Sequence, residues 1–289
     1  MSNPITIKVT GVPEHFNLPW HLAIEEGAFE RTGIDLQWQD APGGTGAMMQ
    51  SLQDAEADIA IALTEGVMAS IVKGTDAKIV QVFVASPLTW GIHVAAHTDF
   101  QTVEDVQRRR FAISRPTSGS HLMAFVLAQQ KGWDTAGIPF VEVGGMEGAR
   151  KALAQEEADA FMWEKFMTKP LVDKGEFRRV GEIDTPWPCF VVAVRNEVLQ
   201  SKGEAIQKIL EVINQYAADF KQRTDALKLI SDRFELSEED AAAWLDKTEW
   251  GKGEKVDKAM LTQVMQTLTA LGAIDHPLAV EEISIQSKA

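Results

Sequence analysis

Short apolar runs alternate with amphipathic stretches up to about residue 195, and glycine or proline separates nearly every pair. Residues 5–9 alternate with the period of a strand and are broken by Gly11-Val12-Pro13. Residues 18–31 carry Trp20, Ile24 and Phe29 at helical spacing and stop at Thr32-Gly33. Residues 34–39 read as a second strand. Gly43-Gly44-Thr45-Gly46 then leads into a helix with Met48, Met49 and Leu52. A buried strand over 58–63, a helix over 65–73 and an apolar strand over 78–85 follow. Strands alternating with helices predict a parallel sheet covered on both faces.

The same grammar restarts near Trp90. It predicts strands at 91–96, 110–114, 139–143 and 158–162, and helices at 103–109, after Ser118, and at 147–154. Shifting the chain by 101 residues lays Gly43-Gly44 on Gly144-Gly145, Leu52 on Leu153, and Ala57-Asp58 on Ala158-Asp159. Either the chain holds two lobes of related construction, or any two α/β units would look this similar. Strands at 177–182 and 191–195 flank Pro186-Trp187-Pro188, whose prolines fit a rigid crossing. Beyond it the pattern is helical, over 204–223, from a capping box at Ser237 and Asp240 to Thr248, and over 256–271 up to Gly272.

These patterns define an α/β protein of two Rossmann-like lobes with parallel-core sheets and two interlobe crossings. The first lobe takes residues 1–88 with 188–289 and carries the helical C-terminal segment; the second takes 89–187. A chain of 289 residues can give each lobe its own core.

A formal charge of −14 argues against nucleic acid, whose phosphates call for a basic face, and against an anionic membrane surface. No apolar run approaches the roughly 20 residues of a membrane span. Cys189 is the single cysteine, so no intrachain disulfide and no cysteine-rich metal site is expected. The N-terminus as written shows no signal-peptide pattern, so the expectation is a cytoplasmic protein, or a periplasmic one if a leader has been removed.

In open parallel sheets, ligands bind beyond the carboxyl ends of the strands. The loops selected by that rule carry Glu14, His15, Phe16 and Trp20; Gly44, Thr45 and Gly46; Thr64 and Glu65; Arg115, Thr117, Ser118 and Gly119; Gly145; and Trp163 with Glu164. The crossings add Ser86, Trp90 and Trp187. Aromatic walls with a few polar groups suit a small-ligand pocket. Each candidate has a packing alternative: a tryptophan belongs equally in a core, the glycine loop can be a tight turn, and Ser118 can be a helix cap. Glu14, Glu65 and Glu164 suggest a ligand with a donor-rich or cationic portion, or a solvated rim. Catalytic patterns are absent: there is no Gly-x-Ser-x-Gly elbow and no metal-binding histidine pair, and no orienting acid is paired with His15, His93 or His121.

The stretch from Val9 to Gly66 resembles the N-terminal lobe of solute-binding proteins for nitrate, alkanesulfonate and thiamine-pyrimidine transport. The resemblance lies in Glu25-Glu26-Gly27-Ala28-Phe29, Gly33-Ile34-Asp35 and Ala57-Asp58-Ile59-Ala60. Pro13-Glu14-His15-Phe16, Leu63-Thr64-Glu65-Gly66 and Ser86-Pro87-Leu88-Thr89-Trp90-Gly91 are similar to a leaderless, periplasmic-binding-like subgroup found in fungi and bacteria. The resemblance implies the periplasmic-binding type II architecture and a ligand clamped in the cleft between lobes by hinge closure. The alternative it leaves open is a cytosolic enzyme of vitamin or cofactor metabolism on the same fold. The cysteine-rich motif of the fungal pyrimidine synthase and the opening motif of the menaquinone-pathway enzymes are both missing. The expected partner is a small molecule, with no cofactor, no nucleic acid, no direct membrane insertion, an ABC permease if the protein is exported, and a monomeric state.

Overall fold

The computed structural model describes residues 4–253 and 256–285. They form two compact units, one of the described residues up to 86 with those from 187 onward and the other of residues 87–186. The first unit opens with β1 (Ile5–Gly11), α1 (Leu18–Glu25), β2 (Ile34–Asp40), α2 (Thr45–Gln53), β3 (Ile59–Leu63), α3 (Thr64–Val72) and β4 (Ala77–Val84). The second unit follows as β5 (Thr89–Ala95), β6 (Phe111–Ile113), α4 (Gly119–Lys131), β7 (Phe140–Glu142), α5 (Met146–Ala154), β8 (Ala160–Glu164), α6 (Lys169–Asp173) and β9 (Phe177–Asp184). The chain then returns to the first unit with β10 (Phe190–Arg195), α7 (Asn196–Phe220), α8 (Ala226–Phe234), α9 (Glu238–Lys247), α10 (Lys258–Ala270) and α11 (Val280–Ile283).

Unit boundaries fall at 86/87 and 186/187 rather than at 88/89 and 187/188. Hydrogen bonding explains the difference: Leu88 and Thr185 pair with each other in the second unit, while Trp187 bonds Glu65 in the first.

Both sheets have five strands and are mixed, with strand order β2-β1-β3-β10-β4 in one and β7-β6-β8-β5-β9 in the other. The expected parallel core is present in each, interrupted by one antiparallel strand, β10 in the first and β5 in the second. Alternation of strands and helices cannot reveal this, because each inserted strand is the one next to a crossing.

Three predicted helices differ in extent. The stretch 18–31 is helical only to Glu25, because Gly27 turns the chain at φ +66° and a 3-10 turn over Glu30–Thr32 follows. Residues 103–109 make only a 3-10 turn, Val103–Val106, because Asp105 folds its carboxylate back onto the N–H groups of Gln101 and Thr102. The stretch 204–223 starts earlier, at Asn196, and runs through a kink at Lys202. The Ser237 cap forms, its hydroxyl accepting from the Asp240 N–H at 3.1 Å, and Gly272 closes α10 at φ +66°.

The C-terminal helices pack on the first unit through specific pairs. Arg223 bonds Glu26, Arg233 bonds Glu25, and the Trp250 indole donates to the Phe16 carbonyl at 3.2 Å.

The repeat read from the sequence is built into the backbone. Helices α2 and α5 have the same length and lie 101 residues apart, as do β3 and β8. Each helix ends on a non-glycine residue in the left-handed region, Ala55 at φ +59° and Glu156 at φ +55°. Glu56 and Glu157 then donate back to the Ser51 and Ala152 carbonyls, the pattern of a Schellman cap. The aspartate of each Ala-Asp pair holds the strand paired alongside: Asp58 accepts from the Lys8 N–H in β1 at 3.0 Å, and Asp159 from the Arg110 N–H just before β6 at 2.9 Å.

An L-residue in the left-handed region costs about 1–2 kcal/mol, against about 0.5–1 kcal/mol for the extra chain freedom of glycine. Ala55→Gly is therefore expected to stabilise the protein by about 0.5–1 kcal/mol, read as a rise in Tm of a few degrees. A fall in Tm would contradict the strain assigned to Ala55.

Candidate functional site

In the first unit, the loops after β1, β2 and β3 and the segment before β10 share one edge of the sheet, since Phe190 pairs with both Leu63 and Val84. Thr45, the first residue of α2, is buried and accepts the Leu63 N–H on its hydroxyl at 3.1 Å. A side chain at Gly66 would place its Cβ 2.5 Å from the Thr45 methyl, so glycine there lets the first turn of α3 close on that of α2. Gly44 caps α2 at φ +70°, and Gly46 is half-buried in the first turn. Thr64 is fully buried and donates to the Pro188 carbonyl at 2.6 Å, tying α3 to the returning chain.

Glu65 is the most informative group. It is fully buried; Oε2 accepts the Trp187 indole N–H at 2.8 Å, and Oε1 has no partner among the described residues. Burial pushes its carboxyl up to about 7, against the pull of its own N–H and the Trp187 indole. Glu14, 8% exposed on the neighbouring loop, is likewise pushed up to about 7 by burial.

Other expected site residues of this unit have gone to the core. His15 is fully buried, 4.3 Å from Trp244 and 5.0 Å from Phe16 between ring centroids, and burial holds its imidazole down to about 3. Trp20 is fully buried and stacks on Phe29 at 6.0 Å, with Trp38 and Phe83 beside it. Phe16 packs on Phe190. The Ser86 hydroxyl accepts the Glu249 N–H, a crossing contact that fixes the end of β4.

In the second unit, the loop before α4 holds four candidates. Ser118 caps the helix by accepting the His121 N–H at 3.4 Å and touches the Ser120 hydroxyl at 3.1 Å, so the capping alternative is realised. Thr117 sits at φ +65°, a strained position for a β-branched residue, and donates its N–H to His121 Nδ1 at 3.0 Å. Arg115 is partly buried and Gly119 opens the helix; Gly145, in extended backbone, opens α5. Trp90 is buried in β5 opposite Glu164, and its indole N–H has no partner among the described residues.

Two expectations change here. Trp163 stacks on Phe161 at 5.3 Å and packs against the core under α5, because residues two apart on a strand share a face. Glu164 is engaged within the chain: Oε2 accepts the Phe166 and Met167 N–H groups at 2.8 and 2.6 Å, pinning the turn into α6. His93, weighed as a base, is fully buried against Thr168 at 2.9 Å, and burial holds it down to about 3.

The residue missed from sequence is Asn17. It reads as an ordinary helix cap before Leu18-Pro19, yet its side chain makes no cap; the amide instead donates to the Val12 carbonyl at 2.8 Å, leaving a buried oxygen without a partner among the described residues. Among the described residues no helix is long and apolar enough to cross a membrane, and no group of three His, Cys, Asp or Glu is placed to hold a metal ion.

This architecture, two α/β units each with a mixed five-stranded sheet, is the periplasmic-binding-protein fold. A family model of Ca3427-like periplasmic binding proteins matches residues 90–183. The Candida albicans CA3427 gene product, which defines a family with the generic periplasmic binding protein fold, is 28% identical over 98% of each chain with a TM-score of 0.87. The alkanesulfonate-binding protein SsuA from Xanthomonas axonopodis pv. citri, bound to MOPS, is 16% identical, with 98% of this chain and 99% of that one covered and a TM-score of 0.82. The nitrate-binding protein NrtA from Synechocystis PCC 6803 is 14% identical over 96% of this chain and 84% of that one, with a TM-score of 0.72. No curated protein sequence matches the chain.

A carboxyl raised from 4.5 to about 7 keeps its proton in the folded chain where the unfolded chain has lost it. Its contribution to stability is complete below pH 4.5 and is lost as pH rises through about 7, a span on the order of 3 kcal/mol. His15 and His93 slope the other way, losing stability as pH falls below 6.5. Comparison of wild type with Glu65→Gln cancels that background. Urea midpoints from pH 5 to 8 are expected to show wild type losing stability relative to the variant as pH rises; parallel curves would remove the buried, proton-holding Glu65.

Proposed function

We propose that this chain is a solute-binding protein that holds a small molecule, contacting it through the strand-end loops. The carrying observation is Glu65: a fully buried carboxyl with one oxygen anchored by Trp187 and the other without a partner among the described residues. A buried acceptor left open costs folding free energy, about 1–3 kcal/mol for a neutral group and more for a charged one. A bound molecule that completes the hydrogen bond accounts for its retention. The fold adds support, since it is shared with proteins that bind an alkanesulfonate and nitrate.

In this reading Glu14, Thr45 and Glu65 are the ligand contacts of the first unit. If the protein is exported, an ABC permease is the partner that this mode of binding implies.

Native mass spectrometry of the full chain, followed by denaturation and identification of the released mass, tests the reading. A stoichiometric small molecule is expected, and returning it to stripped protein should raise Tm by an amount that grows with concentration. Absence of any bound molecule, together with no stabilisation by a small-metabolite extract, would refute solute binding. Recovery of a chemically altered product after incubation would replace binding with catalysis.

A further inference from the structure

We propose that the first unit selects a ligand presenting a cationic, N–H-rich nitrogen group such as an ammonium or guanidinium, rather than the oxyanion head of an alkanesulfonate or nitrate. The inference rests on the solute-binding reading and names a ligand class for it. Its basis is the pair of buried acceptors left open on the loops that follow β1 and β3, neighbouring strands paired at Gly11 and Ile61.

Two buried side-chain acceptors on these loops stand open among the described residues, while the Trp20 indole N–H, also without a partner there, lies in the core against Phe29. Asn17 spends its amide N–H on Val12, and its buried Oδ1 receives nothing from the described residues. Glu65 spends Oε2 on the Trp187 indole, and its buried Oε1 receives nothing from them. Glu14, on the same loop as Asn17 and 8% exposed, accepts no side-chain hydrogen bond from the described residues.

Three donors of the same region are committed: the Thr64 hydroxyl to Pro188, the Leu63 N–H to Thr45, and the Thr64 N–H to Cys189. No lysine, arginine or histidine charge acts on Glu14 or Glu65, and His15 beside Glu14 is held neutral by burial. The cationic candidate, Arg115, belongs to the second unit and already feels the Glu142 carboxylate.

An oxyanion placed on this surface would depend on the protonated forms of Glu14 and Glu65, whose O–H donors are lost as the two carboxyls ionise near pH 7. A nitrogen cation does the reverse. It supplies several N–H groups and a compensating charge, and charge-assisted hydrogen bonds to carboxylates are the stronger kind. The carboxyl oxygens of the two glutamates and the Asn17 amide oxygen are acceptors of the kind that the several donors of an ammonium or guanidinium call for.

The test uses the full chain, stripped of bound molecules, with agmatine and putrescine as cationic probes and methanesulfonate and nitrate as anionic ones. Thermal shift and isothermal titration calorimetry are run on wild type, Glu65→Gln and Glu14→Gln. Glutamine keeps the size of glutamate and can still accept from Trp187, and an unchanged apo Tm at pH 5 verifies the fold of each variant. Stabilisation of wild type by a cationic probe, with affinity at least about tenfold weaker in both variants, is expected. A co-purified molecule carrying a cationic nitrogen, lost from both variants, supports the inference equally. Stabilisation by methanesulfonate or nitrate that persists or strengthens in Glu65→Gln overturns the ligand class while leaving solute binding intact. A co-purified molecule without N–H donors does the same. If no probe binds and nothing co-purifies, this inference and the solute-binding reading fall together.

Discussion

Strand β10 is held by hydrogen bonds along both edges, to β3 on one side and β4 on the other, and the first unit depends on it. Strand β4 reaches the sheet through β10 alone. The residues leading into β10 also position the candidate site: Trp187 meets Glu65, and the Pro188 and Cys189 carbonyls receive the Thr64 hydroxyl. Sheet integrity and site geometry therefore share one cause. The second unit repeats the arrangement with β5 inserted between β8 and β9, where Trp90 lies opposite Glu164.

That coupling gives physical sense to an otherwise unfavourable group. A carboxyl without water is costly, and the lowest-energy response is to keep its proton, which is the direction in which burial drives Glu65 and Glu14. A core optimised for stability alone would carry a glutamine or an apolar residue there. Local violations of polar satisfaction in an otherwise consistent fold concentrate at sites that do work for function. By contrast, Glu164 looks similar in sequence, at a strand end beside a tryptophan, and is satisfied by two backbone N–H groups.

The two-unit α/β plan was legible because it is written in local periodicity and in a repeat whose aspartates clamp equivalent strands. Strand direction at β5 and β10 was not, because pairing between residues as distant as Phe190 and Leu63 leaves no local trace. For the site, the strand-end rule reached Glu14, Thr45, Thr64 and Glu65, which do stand at that edge of the first sheet. It failed to separate them from His15, Trp20 and Trp163, since loop position says nothing about which way a side chain turns. Asn17 escaped because an asparagine before a helix has a commonplace explanation, and only its missing acceptor-side partner distinguishes it.

The insertion of β10 also dictates an order of events during synthesis. As the ribosome releases the chain, β1, β2 and β3 can pair at once, but the free edge of β3 and the whole of β4 must wait until residue 195 has emerged. The continuous second unit is complete before that point. The nascent protein thus passes through a stage in which the apolar strand Ile59–Leu63 presents a bare edge, the kind of surface on which unfinished chains stick to one another. The route that brings Trp187 to Glu65 in the finished molecule leaves the growing one exposed.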